Sequence, residues 1–367
     1  MRPSSSCWAD GAEAIKGGSR VKALVLHGPL DLRWEERPLP EPQMGEALVR
    51  ITAVGICGSD LHYYRHGRIG RFVVEKPLIL GHECAGEVVE VAGPAAGNIK
   101  PGRRVALEPG IPCWSCPECR TGQYNLCRSV RFFATPPIDG VFCEYVAHPV
   151  NLLYPLPDQV GEEEGALLEP LSVAVQACRK AAVPPGGSAL VSGAGPIGLV
   201  TMLVLIASGA SRVFVTEPYS FRRRLAAKLG GYPLDPFSTE GDILDVINDL
   251  TKGRGVDAAI ECAGNAAALA ACLRATKPGG RVVVVGLGES IPQVPMQEVI
   301  DKELGVFGVF RYANTYEQAL ELVCSGRVDV KPLVTHRFPF ADAIAAMQQA
   351  ATGGEERMKT LILMPKY

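Results

Sequence analysis

Ser188-Ala189-Leu190-Val191-Ser192-Gly193-Ala194-Gly195-Pro196-Ile197-Gly198 decides the fold class of this chain. A short apolar run leads into a Gly-x-Gly-x-x-Gly turn, and the turn opens an apolar stretch to about Ser208 that reads as a buried helix. The motif alone is weak, but its context strengthens it. A second strand-like run, Arg212-Val213-Phe214-Val215-Thr216, ends in Glu217, nineteen residues after the last glycine. Strand, glycine turn, helix, strand and acid together form a dinucleotide site. Gly193, Gly195 and Gly198 let the backbone and the helix N-terminus approach a pyrophosphate, and Glu217 accepts hydrogen bonds from the adenosine ribose. An acid at that position repels a 2′-phosphate, so NAD is expected over NADP. Arg222, Arg223 and Arg224 lie close enough to receive such a phosphate, or they form a solvated helix face.

Downstream, strands alternate with helices: Val256 to Ile260, a helix through Ala275, Arg281 to Val285, then Gly305 to Phe310. Such near-continuous apolar strands predict a parallel sheet covered on both faces, with Gly286 to Gly288 passing near the nicotinamide half of the cofactor. Pro184-Pro185-Gly186-Gly187 marks the entry to this unit. Upstream, from Val21 to about Ala106, short runs rich in valine and isoleucine are broken by glycine and proline, which predicts a small, mostly β domain. Helix patterns at Tyr316 to Cys324 and Ala341 to Ala350, then the strand-like Thr360 to Met364, close back on that first domain. A chain of 367 residues exceeds one core, so two domains are expected.

The chemistry concentrates in Val54-Gly55-Ile56-Cys57-Gly58-Ser59-Asp60-Leu61-His62 and in Gly81-His82-Glu83. Cys57 and His82 suit the borderline-soft preferences of zinc, and both follow strand-like runs, where loops converge on a site held by a rigid scaffold. Cys113, Cys116, Cys119 and Cys127 form a C-x2-C-x2-C-x7-C array. Four thiolates close a tetrahedral zinc and leave no position for substrate, so this second site reads as structural. Two disulfides or an iron–sulfur cluster are the alternatives. Glu169 sits inside the apolar Gly165 to Ser172 stretch and needs a partner: zinc, its water, or an arginine.

Net charge of −2 gives no electrostatic reason for nucleic acid or acidic membranes as partners, and no apolar run reaches the length of a membrane span. Clustered thiols in a long chain point to metal in a reducing, cytoplasmic setting rather than a secreted disulfide scaffold. Residues 1–20 lack an apolar signal core and read as a disordered tail.

Over nearly all of Val21 to Tyr367 the chain resembles the zinc-containing medium-chain dehydrogenases, within them the sorbitol, xylitol and L-arabinitol group. The marks are Cys57-Gly-Ser-Asp-Leu-His-Tyr, Gly81-His82-Glu83, the four-cysteine lobe, Ala166-Leu-Leu-Glu169-Pro-Leu-Ser-Val and Gly308-Val-Phe-Arg-Tyr-Ala-Asn. The resemblance implies an α/β chain in which a GroES-like catalytic domain (21–170 and 311–367) is interrupted by a Rossmann domain (171–310), with zinc and substrate in the cleft between them. It implies two zinc ions per subunit and NAD. Cys57, His82 and Glu83 bind the catalytic zinc by similarity, with Glu169 either a further ligand or the hydrogen-bond partner of water and substrate. Asp60 matches the position that orients the histidine ligand.

The implied reaction oxidises a secondary hydroxyl of a polyol to a ketose, its proton passing by way of Ser59 and His62 and its hydride to the nicotinamide. Tyr63, Arg311 and Tyr312 match the substrate side. Ile197, Glu217, Arg222, Val285-Gly286-Leu287, Val309, Phe310 and Arg311 match the cofactor side. The group resembles homotetramers. Butanediol or threonine dehydrogenation is the neighbouring reading, and a non-catalytic cofactor-binding protein the remote one.

Overall fold

The computed structural model describes residues 19–93, 97–239, 241–288 and 294–365. Nearly all of the expected tail lies outside them, and Arg20 already pairs with Pro38 in the first strand.

A seven-stranded sheet is built from both ends of the chain. Glu46–Gly55 pairs with Glu83–Val91 on one side, and on the other with Lys359–Leu363, where Ile362 lies opposite Val54. The C-terminal strand therefore completes the first domain. Ala47, Val49 and Ile51 recur at every second position, and Val54 joins them after the register shift between Ile51 and Ala53; these side chains share one core with Ile362 and Met347.

The second sheet has six parallel strands in the spatial order Tyr232–Leu234, Arg212–Thr216, Ser188–Ser192, Val256–Glu261, Thr276–Val284, Gly305–Gly308. Chain direction across the sheet reverses between Ser188–Ser192 and Val256–Glu261, and ligands of doubly wound sheets bind beyond the strand ends at that point. The helix Pro196–Ala207 is buried from Gly198 to Leu205. Gly198 is obligatory there, because a Cβ would collide with the Gly193 carbonyl.

The expectation of strands covered on both faces fails at the last one. Gly305–Gly308 is the sheet edge and leaves Val306 and Phe307 46% and 37% exposed. Its apolar sequence matched the inner strands, but composition does not reveal sheet position. The helix Leu168–Ala181 joins the two units: Leu171, Ala174 and Val175 share a core with Leu199 and Val200 on one side and with Ala85 and Ala106 on the other.

Candidate active site

The strand Glu46–Gly55 ends just before Cys57, which N-caps the helix Gly58–His66. Asp60, fully buried, fastens the two loops that carry the metal donors: its Oδ2 accepts from the Cys57 N–H at 2.9 Å and its Oδ1 from the Gly81 N–H at 3.0 Å. His82 Nδ1 lies 3.6 Å from Asp60 Oδ1, which leaves Nε2 as the nitrogen for a metal. Burial opposes a charge on His82, but Asp60 and Cys57 hold its pKa well above the ordinary histidine range, a field that favours a cation. Gly55 is needed here, since a Cβ would strike the Glu83 carboxylate.

Cys57, His82 and Glu83 each offer a ligand atom within 4.8 Å of the others. Sulfur, nitrogen and oxygen donors in one small group fit zinc. Glu83 is also engaged by Lys359, whose ammonium is buried and donates to both carboxylate oxygens at 2.7 Å and to the Ile56 carbonyl at 3.3 Å. The sequence reading missed Lys359. Its signal was a lysine at the mouth of the apolar Thr360–Leu363 run.

Glu169 lies in the first turn of Leu168–Ala181 and outside the three-residue group. Its protein partner is the Tyr312 hydroxyl rather than an arginine, donating to Oε1 at 2.9 Å. Burial pushes its pKa up to about 7, against the pull of His82. Ser59 and His62 are half-buried on the helix Gly58–His66, with the His62 ring 5.8 Å from that of His66. Tyr63 is buried, which raises its pKa to about 12.

Arg311 adopts a left-handed φ of 55°, donates to Thr135 Oγ1 at 3.1 Å and stacks 3.8 Å above the Phe132 ring, which in turn lies 5.9 Å from His82. Burial lowers its pKa to about 10. Phe132 and Thr135 were not foreseen, and nothing in their local sequence marks them.

A cleft of about 390 Å³ separates the two units. Cys57, Glu83 and Lys359 line it from one side, and Gly195, Ile197 and Arg222 from the other. Glu217 is buried, with Oε2 accepting from the Ala194 N–H at 2.8 Å and Oε1 from the Tyr219 N–H at 3.1 Å, so it stiffens the glycine turn. The three arginines separate. Arg223 is committed to Asp235 and to the carbonyls of Glu217 and Pro218, Arg224 bonds Ser220, and only Arg222 lines the cleft.

Glu261, also missed, accepts from the N–H groups of Ala263 and Gly264 at 2.8 and 2.6 Å, while its carbonyl takes those of Val285 and Gly286 at 2.9 and 3.0 Å. Leu287 and Phe310 are exposed, and the Val309 N–H pairs with the Val284 carbonyl at 2.9 Å.

Cys113, Cys116, Cys119 and Cys127 converge with ligand atoms within 4.8 Å of one another, and each is a free thiol. The Cys116–Cys119 and Cys113–Cys119 sulfur separations of 3.3 and 4.0 Å bracket the about 3.8 Å edge of a tetrahedron with zinc–sulfur bonds of about 2.3 Å. The Ser115 hydroxyl and the Cys116 N–H donate towards the Cys113 sulfur at 3.5 and 3.4 Å, and the Cys113 N–H towards the Cys127 sulfur at 3.4 Å, donors that suit thiolate ligands.

A metal donor group and a nucleotide-binding turn serve each other only across a shared cleft, and together they define an oxidoreductase. Residues 43–158 match the alcohol dehydrogenase GroES-like domain, and residues 196–325 match the zinc-binding dehydrogenase family. Sorbitol dehydrogenase from Bos taurus is 46% identical over 333 residues, 90% of this chain and 93% of the relative. Sorbitol dehydrogenase from Bacillus subtilis is 42% identical over 93% of this chain and 97% of its own. Among solved structures, 2R,3R-butanediol dehydrogenase from Bacillus subtilis superposes with a TM-score of 0.86 at 33% identity, covering 94% of this chain and all of that one. L-Idonate 5-dehydrogenase from Escherichia coli superposes at 0.87 with 28% identity, covering 94% of this chain and 98% of that one. The chain belongs to the zinc-binding medium-chain dehydrogenases, enzymes that use zinc and a nicotinamide cofactor.

Proposed function

We propose that this protein oxidises a secondary hydroxyl of a polyol of the sorbitol, xylitol or L-arabinitol type to the ketose, with NAD as hydride acceptor. The observation that carries the reading is the cleft itself, where Cys57 and Glu83 share one wall system with Gly195 and Ile197. The relatives named sorbitol dehydrogenase support the substrate class.

Zinc held by Cys57, His82 and Glu83 supplies the Lewis acidity that makes a hydroxyl labile near neutrality, and the nicotinamide supplies the hydride acceptor. The protein's part is position and field. Asp60 fixes the two donor loops, and Lys359 balances the buried negative charge of Glu83. Glu169, held by the Tyr312 hydroxyl outside the three-residue donor group, is suited to hydrogen-bond the reacting hydroxyl or water. Ser59 and His62 carry the hydroxyl proton outward. Tyr63, Arg311 and Tyr312 meet hydroxyls beyond the reacting carbon. Gly193, Gly195, Ile197 and Gly198 seat the pyrophosphate, and Val285, Gly286, Leu287, Val309 and Phe310 border the nicotinamide half. Cys113, Cys116, Cys119 and Cys127 hold a second, structural zinc.

NAD is favoured because Glu217 carries the acid of the ribose site while Arg223 and Arg224 are spent on protein partners. We assign 21–170 and 311–367 to the catalytic domain and 171–310 to the nucleotide domain. The exposed apolar edge strand Gly305–Gly308 supports assembly into dimers and thence a homotetramer, which light scattering tests.

The deciding experiment follows NADH formation by zinc-replete protein on sorbitol, xylitol, L-arabinitol, ribitol, 2,3-butanediol and threonine, with a Cys57→Ala control. Cysteine-dependent polyol turnover is expected. Turnover confined to butanediol or threonine replaces the substrate, and no turnover with zinc present defeats the enzymatic reading.

A further inference from the structure

The four-cysteine lobe lies against the segment that carries Arg311 and Tyr312. Asn125 Nδ2 donates to the Phe310 carbonyl at 2.8 Å, Asn314 Nδ2 donates to the Gly122 carbonyl at 2.8 Å, and the Asn314 N–H donates to the Tyr124 hydroxyl at 2.8 Å. Tyr124 is itself fixed, donating to Glu108 Oε1 at 2.7 Å, while Tyr154 donates to Oε2 of the same carboxylate at 2.7 Å. Ala313 packs into a small apolar cluster with Cys119, Tyr124 and Cys127. From the other side, Arg179 donates to the carbonyls of Ala313 and Asn314 at 3.0 and 2.5 Å.

This segment needs such support. Arg311 and Asn314 both hold φ at 55°, in the left-handed region that costs a non-glycine residue free energy and persists only when the surroundings over-determine it. Arg311 and Tyr312 face the catalytic side, on Phe132 and Glu169, while the backbone that presents them is gripped by the lobe.

We propose that the four-cysteine lobe is a specificity device, in which Tyr124, Asn125 and the Gly122 carbonyl clamp residues 310–314 and so set where Arg311 and Tyr312 meet the distal hydroxyls of the substrate. The inference rests on the polyol reading above. Tyr124 and Asn125 are positioning residues: they act through the segment and leave the reacting carbon alone. The structural metal then has a functional consequence, because the order it imposes on the lobe is passed to the substrate side.

The test uses Asn125→Ala and Tyr124→Phe in the full, zinc-replete chain. Amide exchange of peptides covering 308–315 is expected to quicken about tenfold as the local opening free energy falls. The KM for the polyol rises about three- to tenfold with kcat within about twofold, while KM for 2-propanol, which has no distal hydroxyls, stays within about twofold. Unchanged exchange, or polyol and 2-propanol constants that move together, overturns the proposal. Should Tyr124→Phe fail to fold, Asn125→Ala decides, since its half-buried side chain carries a single hydrogen bond to the segment. A wild-type protein that oxidises 2-propanol but no polyol defeats the substrate reading, whereas unchanged exchange in the variants defeats the clamp whatever the substrate.

Discussion

Lys359 Nζ sits 2.7 Å from each carboxylate oxygen of Glu83, and the pair is buried beside Cys57 and His82. The same carboxylate is thus claimed by a protein cation and by the metal group. Burial opposes the lysine's charge, but Glu83 outweighs it and holds its pKa above the ordinary value.

Removing the ammonium therefore has a metal-dependent cost. Lys359→Met strands a buried carboxylate, which costs about 3–5 kcal/mol when nothing replaces the cation. Zinc replaces part of it. The fall in Tm is expected to be larger for chelator-stripped protein than for zinc-loaded protein, read by calorimetry on both forms. Equal falls would show that Glu83 does not share its charge with the metal.

Arg311→Ala removes a guanidinium stacked on Phe132 and bonded to Thr135. If it reads distal hydroxyls, KM for the polyol rises at least about tenfold, the scale of a lost charged hydrogen bond, while a simple secondary alcohol is little affected. Steady-state kinetics on both substrates separate recognition from general damage, which raises both alike.

Glu217→Ala removes both the acid of the ribose site and the acceptor that holds the Ala194 N–H. The preference for NAD over NADP should fall by roughly tenfold or more, with NAD binding weakened, because repulsion of a 2′-phosphate is lost together with the ribose contact. A variant that keeps the wild-type ratio would move cofactor choice to another residue, Arg222 first.

His148 is buried, and burial lowers its pKa to about 4. Its Nε2 donates to the Glu108 carbonyl at 2.8 Å and its Nδ1 has no partner among the described residues, so a second proton finds no acceptor among them. Between the unfolded value near 6.5 and about 4, the unfolded chain holds a proton that the folded one refuses. This group's stabilisation is full above about pH 6.5 and is lost as pH falls through that window, by about 3 kcal/mol in all. Glu108, raised by burial, contributes in the opposite sense, favouring the fold at low pH. Urea midpoints from pH 7 to 4.5 should fall less steeply for His148→Gln than for the wild type; parallel curves would refute the assignment.

The local elements were legible because each carries its own signal. The glycine turn between two apolar runs, the acid at Glu217, the cysteine array and the helix Tyr316–Cys324 are written in residues close together in the chain, where periodicity and turn chemistry act. The strand Gly305–Gly308 shows the limit: apolar composition identified a strand but not that it stands at the sheet edge, because edge position depends on which strands pair elsewhere.

The sequence by itself determined the union of a mostly β unit with a doubly wound parallel sheet, the donor types of both cysteine-bearing groups and the glycine turn, all of which rest on residue identity and short-range spacing. Tertiary structure alone decided that Glu83 faces Lys359, 276 residues away, that Glu169 takes the Tyr312 hydroxyl, and that the cysteine lobe grips the backbone at 310–314. Those contacts follow from the return of the C-terminal strand to the first sheet and from the packing of the helix Leu168–Ala181 between two cores. Long-range packing of that kind leaves no periodic trace in the chain.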